Sequence, residues 1–246
     1  WVEAMDGGNP KEKVPHRDRV VAFSAPFQGQ PTELTKTQER IAGTPLWTPR
    51  GTSYLISDFE RNKKVSRTFL QNVGGGGKTI HERNIQDRYR NPGNFVTKTL
   101  PNGQRVLAES GGYLFLTGEG AGPEGDRPFL DRLDPLTGKT ERLFHCDPEH
   151  YEYVVALLSD DGTRFLTRRE SPTEAPNYFI RDTQGTLKAL TNFPDPAPQL
   201  RGISKQLVKY KRADGVDLSF TLYLPPGYKQ GTRLPTVVWA YPIEFN

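Results

Sequence analysis

Turn residues punctuate this chain at a regular interval, and the stretches between them alternate apolar and polar positions. Trp47-Thr48-Pro49-Arg50-Gly51-Thr52-Ser53-Tyr54-Leu55, Leu100-Pro101-Asn102-Gly103-Gln104-Arg105-Val106-Leu107 and Leu158-Ser159-Asp160-Asp161-Gly162-Thr163-Arg164-Phe165-Leu166 share one form. Each closes one strand, turns on Gly with Pro, Asp or Asn, and opens another strand with apolar residues at alternate places. A tight hairpin needs a residue with φ > 0, which glycine adopts without steric cost. Gly51, Gly103 and Gly162 fall about fifty to sixty residues apart, a repeat that suits a four-stranded blade with a long loop. A second hairpin follows each of the first. Arg67 to Leu70 runs through Gly74–Gly77 to Lys78-Thr79-Ile80; Phe129 to Asp134 runs through Thr137-Gly138-Lys139 to Leu143-Phe144; Tyr178 to Asp182 runs through Gln184-Gly185-Thr186 to Leu187–Leu190. Two hairpins per repeat make four antiparallel strands, one blade of a β-propeller.

Val20-Val21-Ala22-Phe23 and Leu34-Thr35 add part of a further blade, which Trp1-Val2-Glu3-Ala4 enters mid-strand. The expectation is about three blades and a fraction of a fourth, almost wholly antiparallel. Asn192-Phe193-Pro194-Asp195-Pro196-Ala197-Pro198 then reads as a linker, its prolines blocking a helix. Ile203 to Tyr210 reads as a strand. Val216 to Leu224 reads as another, with Val216, Leu218, Phe220, Leu222 and Leu224 on one face, ended by Pro225-Pro226-Gly227. Thr236 to Tyr241 is a short continuous apolar run, the pattern of a strand covered on both faces.

This order of parts, an amphipathic strand, a Leu-Pro-Pro-Gly-Tyr turn at 224–228 and a buried strand ending in Tyr241-Pro242, resembles the opening of the α/β-hydrolase domain of the prolyl oligopeptidase family of serine peptidases. Val237-Val238-Trp239-Ala240-Tyr241-Pro242-Ile243-Glu244-Phe245 resembles its glutamyl endopeptidase branch. Trp1 to Gly8 and Pro15-His16-Arg17-Asp18 resemble the propeller of that branch, so the likeness spans the chain. The resemblance implies a mainly β fold: a partial β-propeller over 1–200, then the first β-strands of an α/β-hydrolase domain over 201–246. It implies a fragment of a serine peptidase cutting after glutamate, with peptides as substrates and the remainder of the same protein as its partner. It also implies that Tyr241 aims its hydroxyl at the oxyanion of the reaction, and that the location is a bacterial periplasm or cytoplasm, or a plastid.

Composition narrows the rivals. The 246 residues are 34% hydrophobic and 25% charged with 24 glycines and 21 prolines, a turn-rich globular pattern. The formal charge of +4 is small and basic residues alternate with acids, so no nucleic-acid partner is expected. No apolar run approaches the ~20 residues of a membrane span, so no membrane partner is expected. Open sheet edges make oligomerisation an expectation. A propeller used only as a binding module is the first alternative, and it has no use for the residues from Lys209 onward. A dipeptidyl or acylaminoacyl peptidase of the same family is the second, and the Trp239 to Phe245 string counts against it.

Candidate chemistry is sparse. Acyl transfer in this fold needs a serine on Gly-x-Ser-x-Gly, then an acid and a histidine downstream. No such elbow occurs here; Gly202-Ile203-Ser204-Lys205 lacks the closing glycine, and Ser110-Gly111-Gly112 reads as part of a strand. The triad is expected beyond residue 246, and this chain alone is expected to be inactive. No cofactor or metal is expected either. His145-Cys146-Asp147-Pro148-Glu149-His150 crowds ligand types into six residues, whereas a structural zinc site spreads them over two paired motifs. Gly74–Gly77 lacks the spacing of a phosphate loop. An acidic substrate would call for arginine, and Arg61, Arg67, Arg83, Arg88, Arg90, Arg168 and Arg169 are the candidates, none singled out by the sequence.

Overall fold

The computed structural model describes residues 1–9 and 11–240. Among them there is no α-helix; one 3-10 turn, Pro198–Leu200, interrupts an otherwise β chain. No helix there is long and apolar enough to cross a membrane. The chain divides into two units, Trp1–Phe193 and Pro194–Asn246.

The first unit is built of antiparallel sheets: four larger ones, and two two-stranded hairpins that pair Thr97–Thr99 with Arg105–Leu107 and Ala121–Gly122 with Gly125–Asp126. The first large sheet holds Val2–Ala4, Asp18–Ala22 and Thr32–Thr37. In the second, Arg40–Ile41 and Leu46–Trp47 share the neighbour Ser53–Glu60, followed by Val65–Asn72 and Gly77–Asn84. The third repeats that plan, with Asn94–Phe95 and Glu109–Ser110 against Tyr113–Gly118, then Phe129–Leu133 and Thr140–His145. The fourth runs Tyr151–Leu157, Arg164–Glu170, Asn177–Asp182, Leu187–Ala189. These sheets follow the expected four-stranded plan with two differences: in the second and third, two short strands share the same neighbour in the place of one first strand, and the hairpin that turns at Gly103 stands outside the third sheet, whose own first turn is at Gly111-Gly112.

Alternation along the middle strands stacks the sheets. Tyr54 and Ile56 pack with Val20, Val2 and Leu34 between the first and second sheets. Leu55, pointing the other way, joins Leu107, Leu114, Leu116 and Leu133 between the second and third. Phe115 in turn meets Phe165, Leu130, Val154 and Leu157 between the third and fourth. The period of two that marks a strand thus supplies two cores from one strand.

Glycine sets the hairpins as expected: Gly51, Gly103 and Gly162 have φ of 66°, 84° and 73°. Gly162 does more. A Cβ there would enter the ring of Phe115, which is fully buried. Gly162→Ala therefore combines a left-handed backbone with overpacking, and an expected cost of about 2 kcal/mol follows. Hydrogen exchange of the Arg164–Glu170 amides measures it; rates unchanged from wild type would mean that the Phe115 ring moves aside freely. Ser110-Gly111-Gly112 departs from its expectation. Gly111 and Gly112 have φ of 58° and 85° and form the two-residue turn between Glu109–Ser110 and Tyr113–Gly118, since a tight hairpin wants two positive φ values in succession.

Each sheet also buries a carboxylate under an arginine. Asp58 receives Nε and Nη2 of Arg67, its cross-strand neighbour, at 2.9 and 2.7 Å. Asp131 receives Arg142, likewise its cross-strand neighbour. Glu152 receives Arg181 from two strands away, at 2.7 and 2.8 Å. Asp18 receives Arg40 at 2.5 Å, and Arg40 also reaches Asp6. Hydrogen bonds from Arg40 first, and then from Arg17 and the Gly8 amide, hold the Asp6 carboxyl at about 2 against the opposing effect of burial.

In the second unit, Ser204–Lys211 pairs antiparallel with Asp217–Leu224 in unbroken register. The apolar face is partial: Leu218, Leu222 and Leu224 are half-buried, Phe220 is exposed, and Val216 falls in the turn. Residues 236–240 form no strand. Val237, Val238 and Trp239 are 94%, 87% and 87% exposed. A two-sided buried strand exists only when neighbours supply both its hydrogen bonds and its cover, and among the described residues none pairs with this run.

Candidate functional site

Tyr241, the residue expected to serve the oxyanion, lies outside the described residues, so its placement is not part of the geometry below. Among the described residues no serine hydroxyl is bonded to a histidine. The His145–His150 segment is occupied with its own fold. Arg169 can only donate, so His150 Nε2 accepts from it and Nδ1 carries the hydrogen directed at Asp147 Oδ1, 2.7 Å away. Cys146 Sγ accepts the Glu152 amide at 3.1 Å, and burial pushes its thiol up from the ordinary value. Asp147 Oδ1 also caps the amides of Glu149 and His150.

The seven candidate arginines do not converge. Arg67 is committed to Asp58; Arg88 reaches Glu119 and Asp126 at 3.2 and 3.5 Å; Arg168 faces Glu170 at 3.5 Å; Arg169 faces Glu174 at 3.7 Å. Arg83 bonds the carbonyls of Asn84 and Ile85, and Arg61 is exposed. Of the seven, Arg90 borders a cleft of the first unit.

That cleft, of about 610 Å³, opens on the third sheet. Beside it the backbone is closely approached: Gly93 lies where a Cβ would sit 2.5 Å from the Thr117 carbonyl oxygen, and a Cβ on Gly118 would sit 2.7 Å from the Phe129 ring. Gly120, with φ of 64°, accepts the Arg127 amide at 3.0 Å and has no room for a side chain. The small hairpin of Ala121–Gly122 and Gly125–Asp126 forms one rim. Phe129 is the apolar floor, 4% exposed, and the Arg142 guanidinium stacks on it at 4.4 Å from the ring centre. Arg127, half-buried, gives its Nε to the Cys146 carbonyl at 2.9 Å. Desolvation, and then the positive charges of Arg127 and Arg142, hold the His145 imidazole below the usual histidine range.

Three arginines, Arg90, Arg127 and Arg142, and two carboxylates, Glu124 and Asp131, line one concave site, where Arg142 pairs with Asp131 and Arg90 turns to Asp87 at 3.6 Å. Arg127 and Arg142 were not legible as site residues, because both sit among alternating charges. The available signal was the glycine density from Gly111 to Gly125, which marks backbone approaching backbone.

No family model matches the chain. It is similar along its entire length to two curated plant proteins, each described as a probable glutamyl endopeptidase, chloroplastic. That of Oryza sativa subsp. japonica is 38% identical over 268 residues, and that of Arabidopsis thaliana 35% over 269. The chain spans 28% of the length of each. Among solved structures, it is similar to an acylaminoacyl peptidase in complex with Z-Gly-Gly-Phe-chloromethyl ketone, at 16% identity and a TM-score of 0.48, covering 90% of this chain and 32% of that one. The β-propeller domain of the Trilobed protease from Pyrococcus furiosus gives 13% identity and a TM-score of 0.40, covering 71% and 49%.

Proposed function

From the premise that this chain belongs to the prolyl oligopeptidase family along its whole length, we propose that it is part of a serine peptidase cutting peptide bonds after glutamate. The supporting observation is the 35–38% identity, over the whole of this chain, to relatives named for that activity. Residues 1–200 would act as the partial propeller and 201–246 as the opening of the peptidase domain. The reaction is acyl transfer: a serine hydroxyl attacks the scissile carbonyl, a histidine takes its proton and returns it to the leaving amine, and an acid holds the imidazole. Those three groups are assigned to residues beyond 246. Tyr241 is assigned as a hydroxyl donor to the oxyanion that develops on the carbonyl oxygen.

Chromogenic peptides with glutamate, glutamine or leucine before the scissile bond test this on the full-length protein. The expected result is turnover abolished by a serine-directed fluorophosphonate, with kcat/KM for glutamate at least tenfold above the other two, and no turnover by the 246-residue chain alone. Fluorophosphonate-sensitive turnover without glutamate preference would remove the specificity and leave the family. Turnover by the isolated chain would overturn the placement of the triad.

A further inference from the structure

Tyr151–Leu157, the first strand of the fourth sheet, leaves one edge open. It pairs with Arg164–Glu170 on one side, and among the described residues no strand pairs with the other. The matching places in the second and third sheets hold two-residue segments, Arg40–Ile41, Leu46–Trp47, Asn94–Phe95 and Glu109–Ser110, and such short edges template little. Here seven residues run on, rich in aromatic and β-branched side chains and without Pro, Gly or Lys. The usual protections of an edge are missing, save a bulge between Val154 and Ala156 that leaves Val155 46% exposed. The one charge, Glu152, is buried against Arg181 and repels nothing at the edge. Backbone groups of alternate residues point away from the paired neighbour, and the Glu152 amide among them finds Cys146 Sγ at 3.1 Å. Further along, the strand borders a slot of about 440 Å³, lined by Val155, Ala156 and Leu157 together with Val96, Lys98 and Ala108.

We propose that this slot binds an extended, uncharged peptide segment by strand addition, its main chain pairing with the open edge of Tyr151–Leu157. Charge selects the ligand. Lys98 and Asp160 meet at 2.7 Å and cancel, and every other side chain lining the slot is uncharged. What the slot offers is backbone donors and acceptors beside an apolar wall, so the group it recognises is a peptide backbone. Ala108 and Ala156 leave the space that small, neutral side chains at alternate positions would enter. The fourth sheet already holds its four strands, so its plan calls for no resident fifth. The slot has the size for one short strand and not for the sheet of a second copy. The proposal rests on the peptidase reading for the source of the peptide, a stretch of substrate; the pairing itself is indifferent to glutamate.

The probes are acetyl-Ser-Val-Ala-Val-Ser-amide, which carries no glutamate, and its counterpart N-methylated at every residue. Each is added to the full-length protein while deuterium uptake is followed by mass spectrometry. The first peptide is expected to slow exchange of amides 151–157 about fivefold at saturation. The methylated peptide has the same side chains and no donors, and is expected to leave those amides unchanged. Val155→Lys places a charge on the edge and is expected to raise the half-saturating concentration about tenfold, with exchange of Asn177–Asp182 unaltered. Equal protection by both peptides, or protection by neither, overturns the proposal. An edge already protected without peptide overturns it too: protection independent of protein concentration assigns the edge to a segment of the same chain, and protection that grows with concentration assigns it to a second copy. Turnover of a glutamyl substrate is measured on the same sample. Protection without turnover strikes the peptidase reading and leaves the slot as a peptide site, whereas turnover without protection strikes the slot alone. The wild-type comparison decides the matter by itself should Val155→Lys fail to fold.

Discussion

Replacing Glu152 by leucine is expected to destabilise the fourth sheet by about 3–5 kcal/mol. The carboxylate is fully buried and both its oxygens are used: Oε1 accepts Thr167 Oγ1 at 2.6 Å and Arg181 Nε at 2.7 Å, and Oε2 accepts Arg181 Nη2 at 2.8 Å. Leucine fits the volume but leaves a guanidinium only 17% exposed with no counter-charge, and a buried threonine hydroxyl with one acceptor fewer. The partner variant separates removal of half an ion pair from removal of all of it. Arg181→Leu alone strands the acid and should cost a similar amount. The Glu152→Leu, Arg181→Leu double variant should recover much of the loss, because an apolar pair neither needs desolvating nor leaves a charge behind. Local opening free energies from hydrogen exchange in Arg164–Glu170 and Asn177–Asp182 give the comparison in a multi-unit protein for which a single global unfolding value has little meaning. A Glu152→Leu effect under 1 kcal/mol, or a double variant no better than the worse single, would show that packing and not the ion pair holds this sheet.

In the full-length protein, Tyr241→Phe is expected to lower kcat about 10²-fold with KM nearly unchanged, a rise in barrier of roughly 2.7 kcal/mol. A donor aimed at the oxyanion meets full negative charge only in the transition state, so the ground-state complex barely registers its loss. The motive is the sequence: Tyr241 closes the apolar run from Thr236, at the end where α/β folds collect their catalytic groups. Phenylalanine keeps the ring and removes only the hydroxyl. Steady-state kinetics on a glutamyl substrate check it, and a loss below threefold in a folded variant would assign the oxyanion to another donor.

The sheets were legible in the sequence because two local signals coincide at each repeat. Gly51, Gly103 and Gly162 mark where the backbone must turn, and the flanking alternation marks which residues face a core. Both are set within a few residues, so chain order suffices to read them. The buried acids were not legible. Asp58, Asp131 and Glu152 occupy alternate positions as any solvated charge would, and only the arrival of Arg67, Arg142 and Arg181 from other strands turns them inward. The cleft escaped for a related reason. Its walls come from Pro92, Gly120 and Gly125 and its charges from Arg90, Arg127 and Arg142, so no short window contains it. Residues 236–240 show the opposite error: an apolar run states what a strand would want, and cannot state whether a neighbour meets it.

The two-sided middle strands govern where this chain can change length. Tyr54, Leu55 and Ile56 serve different cores in alternation, as do Leu114, Phe115 and Leu116. Inserting or deleting one residue inside Ser53–Glu60 or Tyr113–Gly118 would exchange the side chains offered to two interfaces at once, and the adjoining sheets would both receive the wrong set. Length variation among descendants of this sequence is therefore confined to hairpin tips such as Val73–Gly76, where added residues alter the reach of a loop and nothing of the stack beneath.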